Sequence, residues 1–321
     1  MSDTDAKIIY LEIPIVLSGE RLDRALATIS GHSRSVVESQ ISSGSVLLND
    51  RQVKSKSKKV FAGDKLTITN PDIEGLEEVI VREDKTSLKT LDVVFEDGDM
   101  VVIDKPAGMV VHRGAGKEAD TLASLLMLRY PEIKELVDSC GCDPLRPGIV
   151  HRLDKNTSGL LLAAKTPKAY TTLIEAMSGR QIKREYLALV FGLMEHDRGT
   201  IDAPIGRSLR MPTTMAVSLQ GRQAVTNYEV VKRYFDHGVT LVKVNLLTGR
   251  THQIRVHLTA IGHGVVGDTT YGKKSNNLGL KRQFLHAHRL EFMHPITGEN
   301  MSFESKLPND LQEVLSLLDR V

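Results

Sequence analysis

Gly148-Ile149-Val150-His151-Arg152-Leu153-Asp154-Lys155-Asn156-Thr157-Ser158-Gly159, running on into Leu160-Leu161-Leu162-Ala163-Ala164, decides how this 321-residue chain is read. Five consecutive apolar residues are too few for an ordinary helix and predict a buried strand. Just ahead of it, a histidine, two cations and one carboxylate fall within His151–Lys155. Apolar residues flank that cluster on both sides, which predicts a loop held by strands of a sheet, where sites are commonly built. A simple salt bridge between Asp154 and a neighbouring cation is the competing reading at this level.

Working outward, Val101-Val102-Ile103 reads as another short strand, ended by the turn Lys105-Pro106-Ala107-Gly108. Thr121–Tyr130 reads as a helix stopped by Pro131. Tyr186–Phe191 and Leu241–Leu246 read as strands, and Val256–Ile261 and Pro308–Leu318 as helices. Strands and helices alternate without a βαβ rhythm, so residues 91–321 are expected to form an α+β domain on a mixed, mostly antiparallel sheet. Upstream, residues 18–80 read as a small α/β module. Leu22, Ala25, Leu26 and Ile29 recur at helical spacing, and Gly31 can end that helix. Ser33 can cap a second helix running to Gly44. Val46–Leu48 is then a strand, Asn49-Asp50 a turn, Arg51–Lys59 a basic hairpin arm, and Lys65–Thr69 a last strand. Residues 1–17 form an N-terminal segment and 81–90 a linker, overlapping the polar, acidic stretch Pro71–Lys89.

Hydrophobic residues make up 41% of the chain and charged ones 26%, which excludes a disordered or fibrous protein. No apolar run approaches the roughly 18 residues of a membrane span. Met1–Lys7 lacks a basic region followed by an apolar one, and Cys140 and Cys142 are too close for a disulfide scaffold. A cytoplasmic protein with no membrane partner is the expectation. The net charge of +2 hides a pattern: residues 18–70 carry nine Lys and Arg against five acids, and residues 71–100 three against ten. Two basic blocks around an acidic connector suit a two-part nucleic-acid binder. In the first block Arg34, Arg51, Lys54, Lys56, Lys58 and Lys59 form a strip with few opposing acids, expected to contact phosphates.

Two further clusters stand out. Thr248-Gly249-Arg250-Thr251-His252-Gln253-Ile254-Arg255-Val256-His257 predicts a helix capped by Thr251, with Arg255 one turn on. Its cations after a glycine turn suit a phosphate or carboxylate partner. Lys183-Arg184-Glu185-Tyr186 begins a strand, where a tyrosine is core packing or an amphipathic site residue. Other candidates fail. Cys140-Gly141-Cys142 has no second pair for zinc, and Gly114-Ala115-Gly116-Lys117-Glu118 lacks the Ser or Thr of a phosphate loop. With no dinucleotide fingerprint and no Gly-x-Ser-x-Gly, an enzyme without metal or cofactor is expected.

Together these stretches resemble the pseudouridine synthases of the RluA/RluD type. His151-Arg152-Leu153-Asp154 with Thr157–Leu162 carries the resemblance, joined by Asp104–Gly108, Tyr186–Gly192, Thr248–His257, Gly267-Asp268, Tyr271-Gly272 and Leu285–Ala287. It departs at His112-Arg113-Gly114 and His263-Gly264, where the family more often has proline after the histidine. The first module resembles the small RNA-binding domain named for a small-subunit ribosomal protein, through Arg21-Leu22-Asp23, Ser33-Arg34-Ser35, Gly44-Ser45-Val46 and Gly63-Asp64. The resemblance implies uridine isomerisation in RNA, most simply large-subunit ribosomal RNA, by a monomer. It implies Asp154 as the catalytic carboxylate, Arg255 as its partner, and Tyr186 and Ile254 on the two sides of the uracil. It also implies that Arg152 fills the space of the flipped nucleotide, and His151, in the same motif, is expected to bind substrate. A catalytically inactive RNA-binding or ribosome-assembly protein is the alternative, and would require loss of Asp154, Tyr186 or Arg255.

Overall fold

Helix α1 (Leu22–Ser30) starts where two of its main-chain amides find acceptors in another segment: Leu22 donates to Lys58 O at 2.7 Å and Asp23 to Lys56 O at 3.0 Å. The first amides of a helix have no partner within it, and here the basic stretch supplies them. That contact corrects the expected hairpin arm: of Arg51–Lys59, only Arg51–Gln52 is strand, because the carbonyls further on are committed to α1. The computed structural model describes residues 8–13, 17–30, 34–69, 91–112, 121–143, 146–208, 210–211, 213–272 and 278–320. The expected linker 81–90, the caps at Gly31 and Ser33 and the Gly114–Glu118 stretch lie outside the described residues.

The chain divides into two compact units near Lys89. In the first, β1 (Ile8–Glu12), β2 (Val46–Leu48), β3 (Arg51–Gln52) and β4 (Lys65–Thr69) form an antiparallel sheet in the order β1-β4-β2-β3, beside α1 and α2 (Arg34–Ser43). Asn49 and Asp50 join β2 to β3 at φ of 51° and 62°, the left-handed pair a two-residue hairpin needs. Leu22, Ala25 and Leu26 pack with Val37, Ile41, Val46, Leu66 and Ile68 in one apolar cluster. The sequence sets residues 1–17 apart as a segment of their own, yet Ile8–Glu12 pairs along its whole length with Lys65–Thr69.

The second unit is built on strands β5 (Val93–Glu96), β6 (Met100–Lys105), β7 (Ser158–Ala164), β8 (Lys183–Phe191), β9 (Arg198–Asp202), β12 (Val225–Tyr234), β13 (Val239–Leu246), β14 (Leu285–Met293) and β15 (Asn300–Glu304). The sheet order is β5-β6-β7-β14-β8-β13-β12-β9, with β15 on β14; a separate hairpin joins β10 (Ile205–Arg207) and β11 (Met215–Val217). Every pairing is antiparallel except β7 with β14, so the sheet is mixed and mostly antiparallel, as expected. The unbroken apolar run in β7 has a direct cause. Leu161 and Ala163 pack with Leu122 and Leu126 of α3 (Leu122–Arg129), whereas Leu160, Leu162 and Ala164 pack with Ala169 and Leu173 of α5 (Pro167–Ser178). Both faces of the strand are covered, so no alternation survives. Thr121 and Thr166 cap these helices through their side chains. The remaining helices are α4 (Glu135–Cys140), α6 (Gln253–Ala260) and α7 (Asn309–Leu318). Among the described residues, no helix is long and apolar enough to cross a membrane.

Gly159 marks the parallel seam. At φ 111°, an added Cβ would lie 2.2 Å from Ala287 O, so only glycine lets β7 approach β14 there. The seam is short: His286 pairs with Ser158 and Ala287 with Gly159.

Candidate active site

The loop His151–Thr157 leads into β7 and is tied down from several directions. Thr157 N–H closes it on Asp154 O at 3.0 Å, and Gly108 N–H donates to Lys155 O at 2.8 Å. Arg282 Nη1 donates to Asn156 O at 3.2 Å, and Gln283 Nε2 to Thr157 Oγ1 at 3.2 Å. Lys105, fully buried at the end of β6, donates through Nζ to Pro106 O, Met109 O and Lys155 O at 2.8, 3.0 and 3.2 Å. Burial pulls its pKa down to about 7, against the pull of Asp154 nearby. The main chain beside Asp154 is thereby fixed before any ligand arrives, as a site that holds reacting groups in register requires.

The other half of the site comes from the start of α6. The expected Thr251 cap is corrected: His252 occupies the N-cap position, in the left-handed region at φ 58° and ψ 20°, with no side-chain cap bond. Gln253 does the anchoring instead. Its Oε1 accepts from Thr248 Oγ1 at 2.8 Å and Arg250 N at 2.9 Å, and its Nε2 donates to Val225 O and Thr226 Oγ1 at 3.0 and 2.9 Å. The helix start is thus fastened to β12.

From that fixed turn Arg255 reaches two carboxylates. Its Nη1 donates to Asp154 Oδ2 at 2.9 Å. Nε and Nη2 grip Asp268 through Oδ2 at 2.6 Å and Oδ1 at 2.9 Å, the bidentate geometry of the strongest guanidinium–carboxylate pairs. Asp268 has no exposed side-chain surface and also accepts the Thr270 and Tyr271 amides. Burial pushes its pKa up, but Arg255 and the two amides outweigh burial and hold the carboxyl below its ordinary range. Burial likewise opposes the Arg255 charge, and the two carboxylates raise its pKa regardless. The Tyr271 ring lies under the guanidinium at 4.9 Å from its carbon. Asp154 differs from Asp268 in being partly open, with 16% of its side chain exposed.

The sequence-derived candidates are distributed unevenly. Asp154, Arg255, Tyr186 and Ile254 fall together: Tyr186 on β8 and Ile254 on α6 are buried in one apolar cluster with Leu153. Burial raises the Tyr186 hydroxyl pKa, Arg184 lowers it and Asp154 raises it further. Arg152 is exposed beside them. His151 is turned inward, its Nε2 accepting the Leu162 amide at 3.0 Å, so it braces the loop instead of facing a ligand. Arg51, Lys54, Lys56, Lys58 and Lys59 belong to the first unit and are all exposed, with Lys56 paired to Glu38 at 2.8 Å. Arg34 is in α2, and its side chain lies outside what is described. Asp268, Tyr271, His252, Gln253 and Lys105 have no role legible in the sequence, because each acts through partners from other segments. Among the described residues, no group of three or more His, Cys, Asp and Glu could hold a metal ion.

Burial of His151 and His286 sets an acid limit on this unit. Burial lowers their pKa values to about 3 and about 4. The unfolded chain takes up protons on both below about pH 6.5, whereas the folded chain resists until pH 3–4. Their contribution is therefore intact above pH 6.5 and drains as pH falls, by up to about 1.4 kcal/mol per histidine per pH unit. Urea unfolding should show roughly 2–4 kcal/mol less stability at pH 5 than at pH 7. Equal stability at the two pH values would mean that both rings are charged in the fold.

The chain is similar to known proteins. Residues 99–260 match the family described as RNA pseudouridylate synthase. An uncharacterized RNA pseudouridine synthase of Bacillus subtilis, YlyB, is 41% identical over 300 residues, covering 93% of this chain and 94% of that protein. The ribosomal large subunit pseudouridine synthase D of Vibrio parahaemolyticus is 40% identical over 91% of this chain and 89% of its own length. Among solved structures, human RNA pseudouridylate synthase domain containing 1 aligns with a TM-score of 0.54 at 28% identity, over 74% of this chain and 97% of that one.

Proposed function

Because this chain belongs to the RNA pseudouridylate synthase family, whose members are isomerases, we propose that its targets are uridines of large-subunit ribosomal RNA and that Asp154, Arg255 and Tyr186 carry the reaction. The observation behind the residue assignment is the 2.9 Å contact of Arg255 with the partly open Asp154, with Tyr186 and Ile254 in the apolar cluster beside it. The ribosomal target rests on the names of relatives such as the synthase D of Vibrio parahaemolyticus.

Pseudouridine formation breaks the bond between uracil N1 and ribose C1′, turns the base, and joins C5 to C1′. The C5 hydrogen leaves as a proton and N1 gains one, so nothing is oxidised or reduced. Asp154 supplies the carboxylate that acts at the glycosidic bond, a role a side-chain nucleophile or base fills directly. Arg255, locked by Asp268, holds that carboxylate in one orientation. Tyr186 and Ile254 receive the uracil between them, and exposed Arg152 takes the place the base leaves when it flips from its stack, a step that costs a few kcal/mol. The test is tritium release from RNA labelled at uridine C5, with free uracil measured in parallel. Tritium without uracil is the expected result, and uracil release would mean hydrolysis. Pseudouridine mapping of total RNA from a strain lacking the gene identifies the target; a gap in transfer RNA alone would overturn the ribosomal assignment.

The first unit, on this reading, is an RNA-binding module whose exposed Arg51, Lys54, Lys56, Lys58 and Lys59 contact phosphates. The Lys56–Glu38 pair is no obstacle, since an exposed ion pair is worth about 0–1 kcal/mol. Changing Arg51, Lys54, Lys58 and Lys59 to Ala should weaken RNA binding broadly. It should also reduce the slope of log affinity against log salt by about 0.7–0.9 for each phosphate no longer neutralised. An unchanged slope would make the strip a solvated face.

A further inference from the structure

His252, in the turn ahead of Arg255, has its backbone in the left-handed region. A histidine at φ 58° is uncommon. The ring is held by Tyr271, whose hydroxyl lies 2.8 Å from His252 Nδ1 and accepts the Met215 amide at 2.8 Å. That leaves the phenol hydrogen free to be donated to Nδ1. The imidazole proton then rests on Nε2, on the side of Asp154. Nε2 is 4.0 Å from Asp154 Oδ1, the oxygen that Arg255 does not take. That is too far for a direct hydrogen bond. An oxygen about 2.8 Å from both atoms would complete a triangle with an angle of about 90° at that oxygen, a shape one hydroxyl can fill by accepting from Nε2 and donating to Oδ1.

We propose that His252 Nε2–H and Asp154 Oδ1 together hold the 2′-hydroxyl of the target ribose, making His252 a residue that positions the nucleotide and distinguishes RNA from DNA. The hydroxyl marks RNA at any single site, and this pair offers one donor and one acceptor to it. The charged and titratable groups facing His252 are Asp154, Arg255, Asp268, Arg152 and Tyr271. Burial lowers the imidazole pKa, with Asp154 opposing and Arg255 assisting, so the ring is a neutral donor at the pH of the cell. This inference rests on the isomerase reading of the same site. If that reading fails, the wild type makes no pseudouridine; if only this one fails, the wild type is active and the comparison below comes out flat.

The test uses the full chain and two synthetic RNAs that differ only in a 2′-hydroxyl or 2′-hydrogen at the mapped target uridine. Each competes against tritium release from C5-labelled RNA, which yields an inhibition constant whether or not the competitor reacts. The wild type should prefer the ribose form about tenfold, the worth of one well-made hydrogen bond. His252→Asn suits the left-handed backbone but its amide is too short to reach, and the preference should fall to about threefold or less. His252→Gln is less suited to that backbone but carries an N–H at the reach of Nε2, and should restore most of the preference. A backbone role alone predicts the reverse order, with Asn behaving like wild type and Gln worse. The proposal is overturned by that order, by a wild type without preference, or by Asn and Gln losing it equally.

Discussion

Replacing Asp154 by Asn yields a folded protein that binds RNA and makes no pseudouridine. Asn keeps the size of the side chain and an oxygen for Arg255 Nη1, but has neither the charge nor the reactivity of a carboxylate. The fold has little to lose, because Asp154 is partly exposed and the buried guanidinium keeps its two bonds to Asp268. Stability should fall by no more than about 1–2 kcal/mol, since the amide oxygen keeps a hydrogen bond to the guanidinium. Turnover should fall on the order of 10⁴-fold or more, as when the one reactive group of a site is removed. RNA affinity should change by less than about threefold, since phosphate contacts elsewhere dominate binding. Initial rates of tritium release, a filter-binding isotherm and a urea melt make the three comparisons. A folded, RNA-binding Asp154→Asn that still isomerises at near the wild-type rate would remove Asp154 from the chemistry.

Arg255→Ala behaves differently, although the two side chains touch. Truncating Arg255 removes the counter-charge of the buried Asp268, whose other hydrogen-bond partners among the described residues are two amides. Breaking a buried pair from one side costs about 3–5 kcal/mol, so the melting temperature of the second unit should drop by roughly 10 °C or more. Turnover per folded molecule should also collapse, because Asp154 loses the donor that orients it. In the double variant the activity should be no lower than in Asp154→Asn, while the stability loss should equal that of Arg255→Ala. The two readouts thus separate the roles: Asp154 belongs to the reaction, whereas Arg255 belongs to both reaction and fold. An Arg255→Ala protein melting within about 2 °C of wild type, against the shift expected for a broken buried pair, would contradict the shared-guanidinium arrangement.

Much of this is legible in the residues. The strand Leu160–Ala164, the helix from Leu22 and the turn Asn49-Asp50 announce themselves by apolar runs, helical spacing and turn chemistry, all local signals. Asp154, Arg255, Tyr186 and Ile254 are reachable only because long motifs resemble a known family. Asp268 is not, since its role depends on meeting a guanidinium thirteen residues away across a turn, and no spacing rule encodes that. His252 gives no warning either: nothing in Arg250-Thr251-His252-Gln253 requires a left-handed residue, and the partner of its ring, Tyr271, lies further along the chain. Ile8–Glu12 escapes a reading of the sequence because a five-residue edge strand is specified by its distant partner, Lys65–Thr69. Conversely, His151 reads as a ligand-facing residue because the sequence cannot say which way a ring in a loop will turn.

The short parallel seam between Ser158-Gly159 and His286-Ala287 also has a meaning in time. On one side of it, β5, β6 and β7 close through antiparallel pairings; on the other, β14, β8, β13, β12 and β9 do the same. The pairing of β6 with β7 spans fewer residues than that of β8 with β14, and the seam spans the most, joining residues 128 apart, while the Asp154–Arg255 contact joins residues 101 apart. Closing such long loops costs entropy that neighbouring contacts must already be in place to offset. The two halves of the site ride on opposite sides of that join, so the Asp154–Arg255 contact exists only once the join is made. A nascent or half-folded chain carries the aspartate without its arginine, and RNA meets a competent enzyme only after assembly is complete.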